Sequence, residues 1–388
     1  MPLPLQLTDS WRKSPRVFAA EGFDKPGIQS LFFEGPSFKQ NPTRVFALYG
    51  LPKTEAKPVP GIVLVHGGGG TAFADWIRLW NDRGYAAIAV DTCGGVPCWT
   101  ETPYYAPEGW PRHSHSGPNG WGVDFSNTKT SLEDEWAYHA VAAVLLGTSL
   151  LCSLPQVDAS RIGLTGISWG AVLACIAAGL DPRYKCVVPV YGCGFLDRPD
   201  VGLYGDHSSD SPTVKNWLER WDPRHYLPAA RMPFLWINGT NDFAFPLQSL
   251  SHSVAAKQGD NWLSIPVRMP HGHGGIAERA TSIHCFMDWA LRGKCMPPRM
   301  GTCVISTNRI FTKYDGDVPP HTMELAFTRA TGFWTDRHWN VLPATFDPTT
   351  SLISATLPPE TTSAYLNATD TSGNLWSSPL TIMNGALD

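Results

Sequence analysis

The apolar positions of this chain fall into two regimes. From about residue 60 to 295, short unbroken apolar runs alternate with segments of helical period. The runs at 62–65 (IVLV), 85–91 (YAAIAVD), 161–165 (RIGLT), 186–192 (CVVPVYG), 233–239 (PFLWING) and 263–269 (LSIPVRM) predict strands buried on both faces. Between them, 74–84, 131–154, 170–180, 247–258 and 278–293 predict helices, the first closed by Gly84 and the second opened by a Ser131/Asp134 capping box. This alternation predicts a doubly wound, mostly parallel sheet with helices on both faces. Residues 28–38 and 43–52 predict a hairpin in a β-rich extension over 1–60. The second regime begins near residue 299. There 321–330, 351–358 and 363–370 alternate with period two between Thr/Ser-rich turns. They predict an accessory β-sandwich, immunoglobulin-like, over 299–388, beside a larger α/β unit over 1–298.

Two stretches interrupt these patterns. Residues 92–128 are irregular and rich in Gly, Pro, Trp and His, a length that in a compact domain points to a functional loop. Residues 194–230 form a polar insert with short helices. The chain holds 16 tryptophans. Trp99, Trp110 and Trp121 in the irregular loop are candidate walls of a substrate cleft, because flat aromatic faces suit sugar rings. The longest near-apolar run, 140–154, is too short for a bilayer span and is broken by Gly-Thr-Ser. It predicts a buried helix, with no membrane span.

A net charge of −4 without a Lys/Arg cluster argues against a nucleic-acid partner. The N-terminus lacks a basic start followed by an apolar stretch. The expected location is therefore cytoplasmic, or secreted or periplasmic if a leader has been removed. Nine cysteines leave at least one unpaired. Cys93 with Cys98, and Cys295 with Cys303, are candidate loop bridges, whereas Cys152, Cys175 and Cys186 read as buried thiols. Asn238-Gly-Thr and Asn367-Ala-Thr fit glycosylation sequons, the first discounted as a buried strand end.

The chemistry is carried by Gly166-Ile-Ser168-Trp-Gly170, between a predicted strand and a predicted helix. A sharp strand-to-helix turn would lift the Ser168 hydroxyl above the sheet. A serine nucleophile needs an imidazole base held by a carboxylate. Asp242 follows the strand 233–239, and His271 and His273 follow the next. His271, first after its strand, is preferred as base, with His273 the alternative. Asp242 also reads as an Asx-turn former. The oxyanion site would use the Trp169 N–H and one from the Gly-rich turn His66–Gly70, with Gly68 first and Gly69 second. His66 would line the substrate cleft. That turn lacks both the Lys-Ser/Thr of a phosphate loop and the Gly-x-Gly-x-x-Gly of a dinucleotide fold, so no cofactor is implied.

Taken together, VLVHGGGG, GYAAIAVD, RIGLTGISWG, GTNDFAFP and MPHGHGG resemble the α/β-hydrolase superfamily over residues 60–295. More narrowly they resemble the acetylxylan-esterase and dienelactone-hydrolase-like carbohydrate esterases. The resemblance implies a serine esterase that deacetylates xylan or related oligosaccharides, with Ser168, Asp242 and a His of HGH as its triad. Within that fold a general small-ester esterase and a prolyl-oligopeptidase-type peptidase are the alternatives, although nothing in this chain is long enough for the propeller of the latter. From another class, a metal-dependent hydrolase would draw on His113, His115, His271 and His273.

Overall fold

The computed structural model describes residues 5, 8–53, 58–98, 106, 109–120, 131–198, 200, 201 and 211–383. Nine strands form the central sheet: β1 (Val17–Ala19), β2 (Ile28–Phe38), β3 (Asn41–Gly50), β4 (Val59–Val65), β5 (Ala86–Val90), β6 (Val157–Ile167), β7 (Tyr184–Val190), β8 (Phe234–Ile237) and β9 (Asn261–Ser264). Their order is β1-β2-β3-β5-β4-β6-β7-β8-β9. The first three strands and the β3–β5 pair are antiparallel. From β5 to β9 every neighbouring pair is parallel.

The continuous apolar runs follow from this position. Successive side chains of a strand point to opposite faces, and here both faces are covered. On β4, Val63 and Val65 join one core with the helices α2 (Trp136–Ser153) and α3 (Trp169–Leu180). Ile62 and Leu64 join the opposite core with α1 (Ala74–Asn81) and, late in the chain, Thr281–Arg292. Each such side chain, fully buried, stabilises by roughly 1.5–3 kcal/mol. Helix α2 is the one described helix whose length and composition would suffice to cross a bilayer, longer than the apolar run alone suggests, yet 78% of it is buried in the protein.

Several boundaries differ from the sequence expectation. Leu132–Asp134 form a 3-10 turn, and Ser131 before it makes no side-chain cap. Asp134 instead accepts from the Lys39 amide, so the helix starts at Trp136. The expected strand 263–269 stops at Ser264, because the Ile265 amide donates to Ser377 Oγ and its carbonyl accepts from Tyr365 Oη. The last helix divides at Ala280 into Ile276–Arg279 and Thr281–Arg292. All nine cysteines are free, so neither candidate bridge forms.

Residues 299–383 build two antiparallel sheets. One orders Arg299–Met300, Arg309–Asp315, Leu352–Thr356 and Thr345–Asp347. The other orders Asn340–Pro343, Thr322–Thr328, Ser363–Thr369 and Leu375–Ser377. They share a core that includes Ile310, Ile353, Leu325 and Leu366. This unit also sinks into the central fold: Tyr365 and Trp339 belong to one of its cores and Trp376 to the other. Asn367 of the second sequon lies in that junction, 4% exposed and bonded to Ser377.

One core group sets an expected acid sensitivity. His284 is buried against the edge of Trp80, with no hydrogen-bond partner for either ring nitrogen. Burial pushes its pKa down to about 3, whereas an unfolded histidine titrates near 6.5. Below that value the unfolded chain takes up a proton that the folded one refuses, so stability falls as pH drops from 6.5 towards 3. Urea unfolding at pH 7 and pH 5 should differ by roughly 2 kcal/mol from this group alone, and His284→Leu should flatten the difference by that amount.

Candidate active site

The site gathers at the carboxyl ends of the parallel strands, where an open α/β sheet leaves a crevice. Ser168 stands between β6 and α3 with φ 57° and ψ −121°, a backbone that non-glycine residues adopt only at a cost of order 1–3 kcal/mol. Its flanking glycines are required by contact. A Cβ at Gly166 would lie 2.1 Å from the Gly170 carbonyl oxygen, and one at Gly170 would lie 2.1 Å from that of Val65. The elbow is thus pressed against the end of β4, and the hydroxyl is turned outward into a cavity of about 830 Å³.

A line of hydrogen bonds leads from that hydroxyl into the protein. His271 Nε2 is 2.9 Å from Ser168 Oγ, and His271 Nδ1 is 2.7 Å from Asp242 Oδ2. Asp242 is 3% exposed. Its other oxygen accepts the amides of Ala244 and Phe245, each at 2.9 Å. Asp242 thus closes its own turn with one oxygen and meets the His271 ring with the other. The His271 ring stacks on Tyr191 at 4.1 Å and touches Phe243 at 4.8 Å. Tyr191 Oη also donates to the Gly272 carbonyl at 2.8 Å. Burial raises the pKa of that phenol and keeps it a neutral donor.

His273 sits elsewhere. Its Nε2 accepts the Gly67 amide at 2.9 Å, which places the ring proton on Nδ1, 3.0 Å from the buried Glu278 carboxylate. Burial lowers its pKa, in keeping with a neutral ring that receives an N–H. His273 thus holds the Gly-rich turn while His271 meets the serine. The turn closes with a Gly70 amide to Gly67 carbonyl bond. Gly69 has φ +68°, and its carbonyl accepts Trp110 Nε1 at 2.7 Å. Gly68 and Gly69 line the cavity with Ser168 and Ile167. Trp169 buries its indole between Trp136 and Trp217. Its backbone N–H lies in the first turn of α3, where amides have no intrahelical acceptor.

His66 is placed differently from the expectation. It is 2% exposed beneath the turn. Its Nε2 accepts the Thr92 amide and its Nδ1 bonds the Gly67 carbonyl, so it supports the loop instead of lining the cleft. Trp110 does line the cavity, beside Arg112 and Asn119. Trp99 and Trp121 lie outside the described residues. Cys93 also lines it, its thiol pushed up to about 12 by burial and so protonated.

The four histidines of the metal alternative are not brought together as donors. Both ring nitrogens of His271 and of His273 are engaged as above. His113 packs on Phe32 with its pKa pushed down to about 4 by burial, and His115 bonds Ser114. Among the described residues no three His, Cys, Asp or Glu side chains are grouped to hold a metal ion.

Three contributors escaped the sequence reading. Tyr191 was hidden inside a strand pattern and Glu278 inside a helix pattern. Asn241 stands in the turn beside Asp242, and its amide reaches residues more than ninety positions away. Glu278, five residues beyond His273, had the one local signal.

A family model described as acetyl xylan esterase (AXE1) matches residues 25–225, a segment that contains Ser168 and ends before Asp242. Among solved structures, the acetyl xylan esterase from Paenibacillus sp. R4 is similar with a TM-score of 0.54 at 20% identity, covering 73% of this chain and 92% of that one. Acetyl xylan esterase 1 from Thermoanaerobacterium sp. JW/SL YS485 is similar with a TM-score of 0.51 at 19% identity, covering 71% and 87%. At these identities the likeness is one of fold. No curated protein matches the chain.

Proposed function

The chain belongs to the acetyl xylan esterase family and is a carboxylic-ester hydrolase; from that premise we propose that it removes acetyl groups from xylan or its oligosaccharides through Ser168, His271 and Asp242. The observation that carries this reading is the unbroken pair of hydrogen bonds, 2.9 and 2.7 Å, from the serine hydroxyl to the buried carboxylate. Ser168 Oγ attacks the acetyl carbonyl carbon as its proton passes to His271 Nε2. Asp242 holds Nδ1–H and stabilises the imidazolium that forms. The negative charge on the carbonyl oxygen is met by the Trp169 N–H and by Gly68, with Gly69 the alternative donor. Collapse breaks the ester bond, and His271 returns the proton to the departing sugar hydroxyl. Water, losing a proton to His271, then attacks the acetyl carbon; the bond to Ser168 Oγ breaks, His271 returns the proton to that oxygen, and acetate leaves.

The size of the cavity, within the usual range for small-ligand sites, and the aromatic wall at Trp110 support a saccharide leaving group. In the same reading, residues 299–388 are an immunoglobulin-like accessory unit on a catalytic unit of 1–298, which the two antiparallel sheets support.

Acetate release from acetylated xylan, acetylated xylo-oligosaccharides and p-nitrophenyl acetate tests the substrate. All three should be hydrolysed, and EDTA should leave the rates unchanged. Turnover of p-nitrophenyl acetate with acetylated xylan and its oligomers untouched would overturn the carbohydrate assignment and leave the esterase.

A further inference from the structure

Asp242 and His271 stand on two loops, 238–245 and 265–273, and a third loop from the C-terminal unit, 332–338, closes on both. The Asn241 side-chain amide donates to three backbone carbonyls of that third loop: Trp334 at 3.3 Å, Thr335 at 2.9 Å and Arg337 at 2.8 Å. The other end of the same side chain is also held. Asn241 Oδ1 accepts the Thr240 hydroxyl at 2.7 Å, and that hydroxyl accepts the Arg268 amide at 2.9 Å. Arg268 is three residues before His271, and its guanidinium lies 3.0 Å from His338 Nδ1. The Asp242 loop, the His271 loop and the C-terminal loop thus meet in one hydrogen-bonded junction.

The receiving loop is stiff. Arg337, 4% exposed, lays its guanidinium over the Trp334 ring at 3.6 Å and donates to the Gly332 carbonyl. Trp334 stacks towards Trp339, which packs on Tyr365. Tyr365 in turn bonds the Ile265 carbonyl at the start of the His271 loop. A rigid anchor of this kind is what a catalytic pair needs, because displacements near 1 Å cost about 100-fold in rate.

We infer that Asn241 is a positioning residue, and that the C-terminal unit serves as a brace fixing Asp242 and His271 relative to each other. The inference rests on the proposed roles of Ser168, His271 and Asp242. Replacing Asn241 by alanine removes its bonds to three carbonyls, of which that of Trp334 keeps the Arg337 amide, and lets the Asp242 loop drift without touching the substrate cavity.

The test uses the full chain and p-nitrophenyl acetate. Asn241→Ala should lower kcat on the order of 10- to 100-fold with KM within about twofold, and should slow labelling of Ser168 by a fluorophosphonate to the same degree. Ile353→Ala, in the shared core of the C-terminal sheets, should lower the melting temperature yet keep wild-type kcat while folded. If Asn241→Ala does not fold, Thr240→Val removes the relay hydroxyl and should still lower kcat with KM unchanged. Wild-type kcat in whichever of these two variants folds would overturn the inference, as would an equal loss of kcat in folded Ile353→Ala. Ser168→Ala, run alongside, separates the two claims: if it stays active the triad reading fails, whereas an inert Ser168→Ala beside a fully active Asn241→Ala sinks the brace alone.

Discussion

Ser168→Ala should lower kcat for p-nitrophenyl acetate by roughly 10⁴- to 10⁶-fold with little change in stability. The rate effect follows from the proposed mechanism, in which the deleted atom is the one that bonds the acetyl carbon. What remains is the contribution of the oxyanion donors and of binding, which do not need the serine. The small stability effect follows from the local structure. Ser168 Oγ makes no capping bond to the helix it precedes. The backbone bonds that hold the elbow, from the Ser168 amide to Val190 and from Ala171 and Val172 to the Ser168 carbonyl, are untouched. Steady-state kinetics and thermal melting of the same preparation check both halves. A residual kcat within tenfold of wild type would exclude Ser168 as nucleophile.

His271→Ala should cost nearly as much, on the order of 10⁴-fold or more, and the double variant with Ser168→Ala should be no slower than either single one, since the two act as a unit. His273→Gln should behave differently. It loosens the support of the Gly67 amide, and a displaced oxyanion donor costs roughly 10²- to 10³-fold at most. The contrast has a physical origin in the proton positions. His273 accepts an N–H on Nε2 and donates its Nδ1–H to Glu278, so it has no lone pair to offer a serine. His271 alone of the two reaches Ser168 Oγ. Kinetics of the four variants at one pH separate these outcomes, and a fully active His271→Ala beside an inactive His273→Gln would reverse the roles.

Much of the fold was legible because the parallel strands are buried on both faces. The runs at 62–65 and 86–90 read as continuous apolar stretches, and the structure divides their alternate residues between two cores. The flanking glycines at 166 and 170 were legible for a related reason: they signal a close approach, and the carbonyls of Gly170 and Val65 fill the space where side chains would stand. The chain order of serine, carboxylate and imidazole placed Asp242 and His271 at successive strand ends.

What the sequence could not carry lies between distant segments. Position along the chain favoured His271, the first histidine after its strand, but did not say what His273 does. The distinction is made by the Gly67 amide, 206 positions away. His66 looked like a cleft residue because it begins the Gly-rich turn, but the Thr92 amide draws its ring beneath the loop. The extended pattern at 263–269 failed as a strand because Ser377 and Tyr365 take the backbone groups of Ile265 that a neighbouring strand would need. The same long-range bonding ties the C-terminal unit to the Asp242 loop, through a segment that follows Asn241 by more than ninety residues.

The most direct measurement is peptide mapping by mass spectrometry after reaction with a fluorophosphonate, with and without prior His271→Ala substitution. The tryptic peptide spanning residues 162–183 contains Ser168 as its sole serine. A single phosphonyl adduct is expected on that peptide in the wild-type enzyme, matched by loss of esterase activity, and almost none in the His271 variant. An adduct on another residue, or full inactivation with the 162–183 peptide unmodified, would contradict the role assigned to Ser168.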